Sequence, residues 1–170
     1  PVRVADAGAT PPIILATGGD LKTTFCLLGP AADGTAHGHL SSHLGDMSDA
    51  RTQDCFTAAL DHLAFMTDRR PAIIASDCHP GYATARWAQR RRAGRPVIAV
   101  QHHHAHAVSL LAEHGRLGTP MVAVAYDGTG YGTDGTIWGG ELLAVSDPAT
   151  FTRVGQLGRA SCRERVYGLV

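Results

Sequence analysis

The chain has 170 residues, 44% hydrophobic and 18% charged, and its 15 basic residues balance its 15 acidic ones. That suits one globular domain, or one and a fraction, and the even charge excludes binding of nucleic acid by bulk electrostatics. No apolar run reaches membrane-spanning length, no charged-then-apolar leader stands at Pro1, and four scattered cysteines (Cys26, Cys55, Cys78, Cys162) form no CxxC pair, so the sequence reads as a cytoplasmic protein with reduced thiols.

Pro1–Pro12 is small and polar and reads as a linker, with Pro11-Pro12 favouring extended backbone ahead of the first strand. Ile13–Thr17 predicts a buried strand, Gly18-Gly19-Asp20 a tight turn, Leu21–Leu28 a second strand and Thr35–Ser42 a weaker third. These three make an antiparallel meander. Glycines at its first turn let backbone amides approach a phosphate, and Lys22 follows directly, so Gly18, Gly19 and Lys22 are candidate phosphate contacts beside the simpler role of a hairpin. His37, His39 and His43 alternate onto one strand face with no cysteine or acid to complete a metal pattern, and read as structural or surface residues.

Ser48 or Asp49 caps a predicted helix running to about Met66, with Phe56, Ala59, Leu60, Leu63 and Met66 as its core stripe. Pro71–Ser76 is a continuous apolar run, as in a parallel strand, and Asp77-Cys-His-Pro-Gly-Tyr82 stands at its carboxyl end, where α/β sheets gather ligand sites. Asp77 and His79 either line a cleft there or only make the turn into the next helix, Ala83–Ala93. That helix closes in Arg90-Arg-Arg92 and Gly94, a solvated basic end.

The centre of the chain is Val97–Gly115. An apolar strand, Val97–Val100, runs into Gln101-His-His-His-Ala-His106, and a helical pattern continues to Gly115. His102 and His106 are four apart and share one helix face, so both imidazoles can reach a single ion. His103 and His104 point elsewhere and read as a solvated helix start or as supports behind the ligands. Met121–Val145 then reads as strand, glycine-rich turn, strand. Asp127 lies where the first of these gives way to Gly128-Thr-Gly130, placing a carboxylate beside amides able to hold a phosphate. His102, His106 and Asp127 together are the candidate metal set, two imidazoles and a carboxylate with open positions. Gly128, Thr129, Gly130, Gly139 and Gly140 are the candidate phosphate contacts of this half.

Trp138-Gly-Gly-Glu141 echoes Gly18-Gly19 and implies two similar lobes: a first lobe over 13–118 after a linker of residues 1–12, and the start of a second over 119–157, cut off after one hairpin. Residues 158–170 read as a non-native tail, similar to a translated sequencing adapter.

In order along the chain, Ala16-Thr-Gly-Gly-Asp-Leu-Lys-Thr-Thr-Phe-Cys26, Ser42-His-Leu-Gly-Asp46, Asp77–Tyr82, Gln101–His106, Tyr126-Asp-Gly-Thr-Gly-Tyr-Gly132 and Ile137-Trp-Gly-Gly-Glu141 resemble the hydrogenase maturation carbamoyltransferases, the HypF family. The resemblance covers about Ile13–Val145, the first part of that family's TsaD-like carboxyl-terminal region. It implies an α/β fold of the actin/Hsp70-like ATPase (ribonuclease H-like) type, a lobe with a mixed sheet plus the first hairpin of a second lobe. It also implies carbamoyl phosphate and ATP as substrates, a carbamoyl-adenylate intermediate, and transfer to the carboxyl-terminal cysteine of a HypE-like acceptor protein on the way to the cyanide ligands of [NiFe]-hydrogenase. The family's metal ligands, for iron or zinc, fall on His102, His106 and Asp127, and its usual Leu-Lys-Asn-Thr is here Leu21-Lys-Thr-Thr24. The nucleophile is the partner's thiol, so Cys26, Cys55 and Cys78 read as buried small residues. No membrane or nucleic-acid partner is expected, and by itself the chain is expected to be inactive. A TsaD-like tRNA threonylcarbamoyl transferase or a small-molecule O-carbamoyltransferase would share the metal and the lobes. A zinc peptidase would need Glu after the first histidine, where His103 stands.

Overall fold

The computed structural model describes residues 2–4 and 11–158. They fall into two compact units, Pro1–Val100 and Gln101–Val170. In the first unit the strands are β1 (Val2–Val4), β2 (Ile14–Ala16), β3 (Cys26–Pro30), β4 (Ala36–Leu40), β5 (Ile73–Asp77) and β6 (Val97–Val100), and the helices are α1 (Ala50–Thr67) and α2 (Ala83–Arg91). One six-stranded sheet has the order β1-β4-β3-β2-β5-β6. Its β1, β4, β3 and β2 pair antiparallel, while β2–β5 and β5–β6 pair parallel. Parallel neighbours need a crossover, which α2 supplies between β5 and β6.

Asp49 caps α1, its carboxylate accepting the Arg51 N–H at 2.8 Å, and Asp68 ends the helix in a left-handed conformation (φ 50°). The buried side of α1 sets Phe56 between Phe25 and Trp87, with ring centroids 5.1 and 4.7 Å away and both pairs edge-on. Leu15, Leu27, Met47 and Ile74 close the same core. One aromatic column therefore ties β3, α1 and α2 together.

Three expectations change here. Val2–Val4, in the stretch expected to be a linker, is a strand, because its Val-Arg-Val alternation pairs with Ala36–Gly38 on the sheet edge. The second meander strand begins at Cys26 rather than Leu21. Thr23 Oγ1 donates to the carbonyls of Gly19 and Asp20 (2.6 and 2.8 Å), and Lys22 is left-handed (φ 50°), so Leu21–Thr24 is spent on the turn. Cys55 is exposed, and Cys26 and Cys78 are half-buried rather than enclosed.

In the second unit, α3 (His102–Glu113) packs on a three-stranded antiparallel sheet, β7 (Met121–Tyr131), β8 (Ile137–Asp147) and β9 (Thr150–Gly158), in that order. The expected single hairpin thus has a third strand, whose residues pair with β8 from Gly140 to Asp147. Three strands with a helix on one face can bury an apolar layer that a lone hairpin cannot. Here that layer is Ala107 and Leu111 of α3 against Ala123, Trp138, Leu143 and Val145. The tail expected at residues 158–170 lies, from residue 159, outside the described residues. Among the described residues no helix is long and apolar enough to cross a membrane.

Truncating the centre of the aromatic column tests the first core. Phe56→Ala should cost about 3–5 kcal/mol, read as a lowered urea midpoint; an unchanged midpoint would contradict the assigned core.

Candidate metal centre

Helix α3 begins where β6 ends, and its cap is Gln101. The Gln101 Oε1 accepts the His104 N–H at 2.8 Å. Starting the helix there puts His102 and His106 one turn apart on the face toward β7, with ring centroids 4.8 Å apart. Asp127 comes from β7 through a bulge. Between Tyr126 and Gly130 the strand advances four residues while its partner goes only from Gly140 to Trp138. Such a bulge re-aims a side chain out of the ladder. It also exposes Gly128 and Thr129.

The three side chains converge. His102 Nε2 lies 2.9 Å from Asp127 Oδ2 and 3.2 Å from His106 Nε2, and one donor atom from each of the three lies within 4.8 Å of the others. Donors bound to one ion at about 2.0–2.2 Å and about 90–110° apart stand about 2.9–3.5 Å from one another. Both short separations fall in that range. Asp127 Oδ2 is buried, and apart from the 2.9 Å approach of His102 Nε2 no N–H or O–H serves it. A buried carboxylate oxygen facing two imidazole nitrogens is a set that a cation would complete. Burial opposes ionisation of Asp127, but the His102 ring and the Gly128 N–H outweigh it and hold the carboxyl below its ordinary range. The Gly128 N–H donates to Asp127 Oδ1 at 2.7 Å. The donor set therefore fits a divalent cation.

His103 and His104 are buried, not solvated as one sequence reading had them. Burial pushes both imidazoles below the ordinary histidine range, against the raising effects of Asp127 on His103 and Asp147 on His104. The His104 ring stacks on Phe151 with centroids 4.5 Å apart, a contact that depends on β9 and so was hidden in the sequence.

The candidate phosphate glycines divide by what their backbones already do. A side chain on Gly130 would overlap the His103 ring, and one on Gly140 would press on Leu157. Gly139 donates its N–H to Glu141 Oε1 at 2.9 Å and Gly128 donates its own to Asp127 Oδ1, but no atom stands near the place of a Cβ on Gly128. Gly18, Gly19 and Lys22 belong to the first unit. There Gly18 is left-handed (φ +68°) and backs onto the Thr24 carbonyl. The same turn holds Asp20, whose carboxylate accepts the N–H groups of Ala83 and Thr84 at 2.8 and 2.9 Å and so caps α2. A partner 63 residues away left no local signal for that role. Asp77 and His79 line a cavity of about 530 Å³ at the end of β5, where the Asp77 carboxylate accepts the His79 N–H at 2.8 Å.

Sequence reading also passed over Glu141 as a charged centre. It is 1% exposed, and Arg153 of β9 meets it twice, Nε to Oε2 at 2.6 Å and Nη2 to Oε1 at 3.0 Å. The same guanidinium lies 4.4 Å from the centre of the Trp138 ring. The pair joins β8 to β9 and keeps Glu141 on the Gly139 amide.

Comparison with known proteins agrees with this architecture. A family model described as "HypF Kae1-like domain" matches residues 9–113, and one described as "Carbamoyltransferase, Kae1-like Domain, second subdomain" matches residues 123–162. A carbamoyltransferase HypF of Synechocystis is 40% identical over 144 residues, 85% of this chain and 18% of the relative. One of Rhodobacter capsulatus is 40% identical over 152 residues, 87% of this chain and 20% of the relative. Among solved structures, a full-length HypF in a phosphate- and nucleotide-bound form aligns with a TM-score of 0.79 and 35% identity, over 91% of this chain and 19% of that one. The HypF of T. kodakarensis aligns with a TM-score of 0.69 and 28% identity, over 85% and 18%. The chain therefore spans about a fifth of the length of these relatives.

Removing Arg153 would leave the Glu141 carboxylate buried without its cation. Arg153→Ala should destabilise the protein by about 2–4 kcal/mol, near the low end for buried pairs because Arg153 itself reaches solvent. Chemical denaturation of the variant measures this, and an unchanged stability would refute the assigned role of the pair.

Proposed function

The chain belongs to the HypF family, of whose Kae1-like region it is a part, and we propose that it carries the metal-holding part of a cytoplasmic carbamoyltransferase. Its fold is the α/β fold of actin/Hsp70-like ATPases. In this reading the whole enzyme uses carbamoyl phosphate and ATP, forms carbamoyl-adenylate, and passes the carbamoyl group to the carboxyl-terminal cysteine of a HypE-like acceptor. The observation that carries the reading is the convergence of His102, His106 and Asp127, whose donor atoms lie within 4.8 Å of one another around a buried carboxylate oxygen.

His102 and His106 would hold a divalent ion, iron or zinc, through Nε2, and Asp127 through Oδ2. Such an ion supplies Lewis-acid polarisation and a template for phosphate oxygens. The protein's own part is placement. The bulge at Asp127 leaves Gly128 and Thr129 at the surface beside the ligands, and at Gly128 a phosphate can approach the backbone with no Cβ in the way. Within the first unit, taken by itself, Gly18, Gly19 and Lys22 are proposed as phosphate contacts. Gly130, Gly139 and Gly140 serve the reading less directly, since each is already engaged with a side chain or strand of its own sheet. The acceptor's thiol is the nucleophile, so no cysteine of this chain takes part in the chemistry, and the isolated chain is proposed to be inactive.

The double variant His102→Ala/His106→Ala is the direct test. It should lose bound metal, measured by elemental analysis after dialysis, and in the whole enzyme should lose carbamoyl transfer with it. Stoichiometric metal retained by the folded double variant would sink the ligand assignment.

A further inference from the structure

Gln101 is an unusual helix cap. Serine, threonine, aspartate and asparagine are the favoured residues at that position, because their short side chains reach the free N–H groups of the first turn. Gln101 does this with Oε1, and the longer side chain reaches further. Its Nε2 is 3.0 Å from His103 Nδ1 and 3.3 Å from the Tyr131 carbonyl. Since Oε1 accepts a backbone N–H, the other end of the amide is the NH2 group, a donor only. Its bond to His103 Nδ1 therefore makes that nitrogen the acceptor and places the ring proton on Nε2. One side chain thus ties the backbone of the first turn of α3 to the ring of its second residue, His103, and to the end of β7.

His103 completes the clamp. It is fully buried, and its ring fills the space over Gly130 so closely that a Cβ there would overlap Cε1 and approach Nδ1 and His102 Cβ. Gly130 lies just past the bulge that aims Asp127, and His102 directly precedes His103. The contact between His103 and Gly130 therefore sets the distance between the strand that carries the carboxylate and the helix that carries both imidazoles.

We propose that Gln101, His103 and Gly130 form a positioning clamp for the metal centre, holding α3 on β7 at the separation that brings His102, His106 and Asp127 together. None of the three is among the proposed ligands. The proposal rests on the metal reading of the previous subsection. Supports behind metal ligands are held to tight geometry, and their loss typically weakens affinity about 10–100-fold.

The test titrates the metal-free protein with Co²⁺ against a competing chelator and records the visible absorption of the bound ion. Gln101→Thr keeps a side-chain cap for the helix but is too short to bridge to Tyr131. Gly130→Ala drives a methyl group into the His103 ring. Each should weaken Co²⁺ about 10–100-fold and shift its absorption bands, with circular dichroism confirming the fold. Adding His103→Ala to Gly130→Ala removes the clash, so the double variant should bind more tightly than the product of the two single losses implies. Should Gln101→Thr and Gly130→Ala bind Co²⁺ as the unmodified protein does while His102→Ala does not, the clamp is wrong and the metal centre stands. Unchanged binding by His102→Ala would overturn the metal reading, and the clamp with it. Strictly multiplicative losses in the double variant would also overturn the clamp, since they mean that His103 and Gly130 act independently.

Discussion

The close approach of two imidazoles and one carboxylate is the constraint on which the second unit depends. His102 Nε2 approaches Asp127 Oδ2 to 2.9 Å and His106 Nε2 to 3.2 Å, and this cluster is the arrangement that the proposed cation would complete. The surrounding structure reads as the means of holding them there. The Gln101 cap sets where α3 begins, the bulge at Asp127–Thr129 turns the carboxylate toward the helix, and the Glu141–Arg153 pair locks the strand behind. A change of register in any of these elements would part the donors, because one residue's rotation on a helix or one step along a strand turns a side chain to a different face.

The glycines show how one residue type serves several ends. Gly18 is required by its left-handed backbone and by the Thr24 carbonyl behind it, and Gly130 by the His103 ring, whereas Gly128 has open space. A glycine-rich stretch is therefore not evidence for phosphate binding by composition. Among the phosphate candidates, the structure separates glycines whose space the protein itself fills, Gly18, Gly130 and Gly140, from Gly128, where it does not. Gly128 thus leaves steric room beside Asp127, while its N–H is given to Asp127 Oδ1.

The first unit has a different logic. Its antiparallel meander continues into two parallel strands, and the aromatic column of Phe25, Phe56 and Trp87 holds α1 and α2 on that sheet. Asp20 links the glycine turn to the start of α2 with two backbone hydrogen bonds, so the turn is tied to the loop that follows β5. The turn that opens the chain's first motif and the Asp77–Tyr82 segment are therefore mechanically connected within one unit.

Periodicity and spacing alone determined much of this protein. The core stripe of α1 and its Asp49 cap, the parallel strand at Ile73–Asp77 and the pairing of His102 with His106 on one helix face are local properties, decided by residues a few positions apart. The motif series was sufficient to place the chain in its family. Tertiary structure alone decided what depends on distant partners. The third strand β9 and its Arg153 gave Glu141 a counter-ion, and burial against Phe151 and Gly130 turned His104 and His103 from a solvated helix start into interior residues. Helix and strand periods encode which face a side chain takes. Whether that face meets water, another strand or a second imidazole is set by chain segments that no local pattern can name.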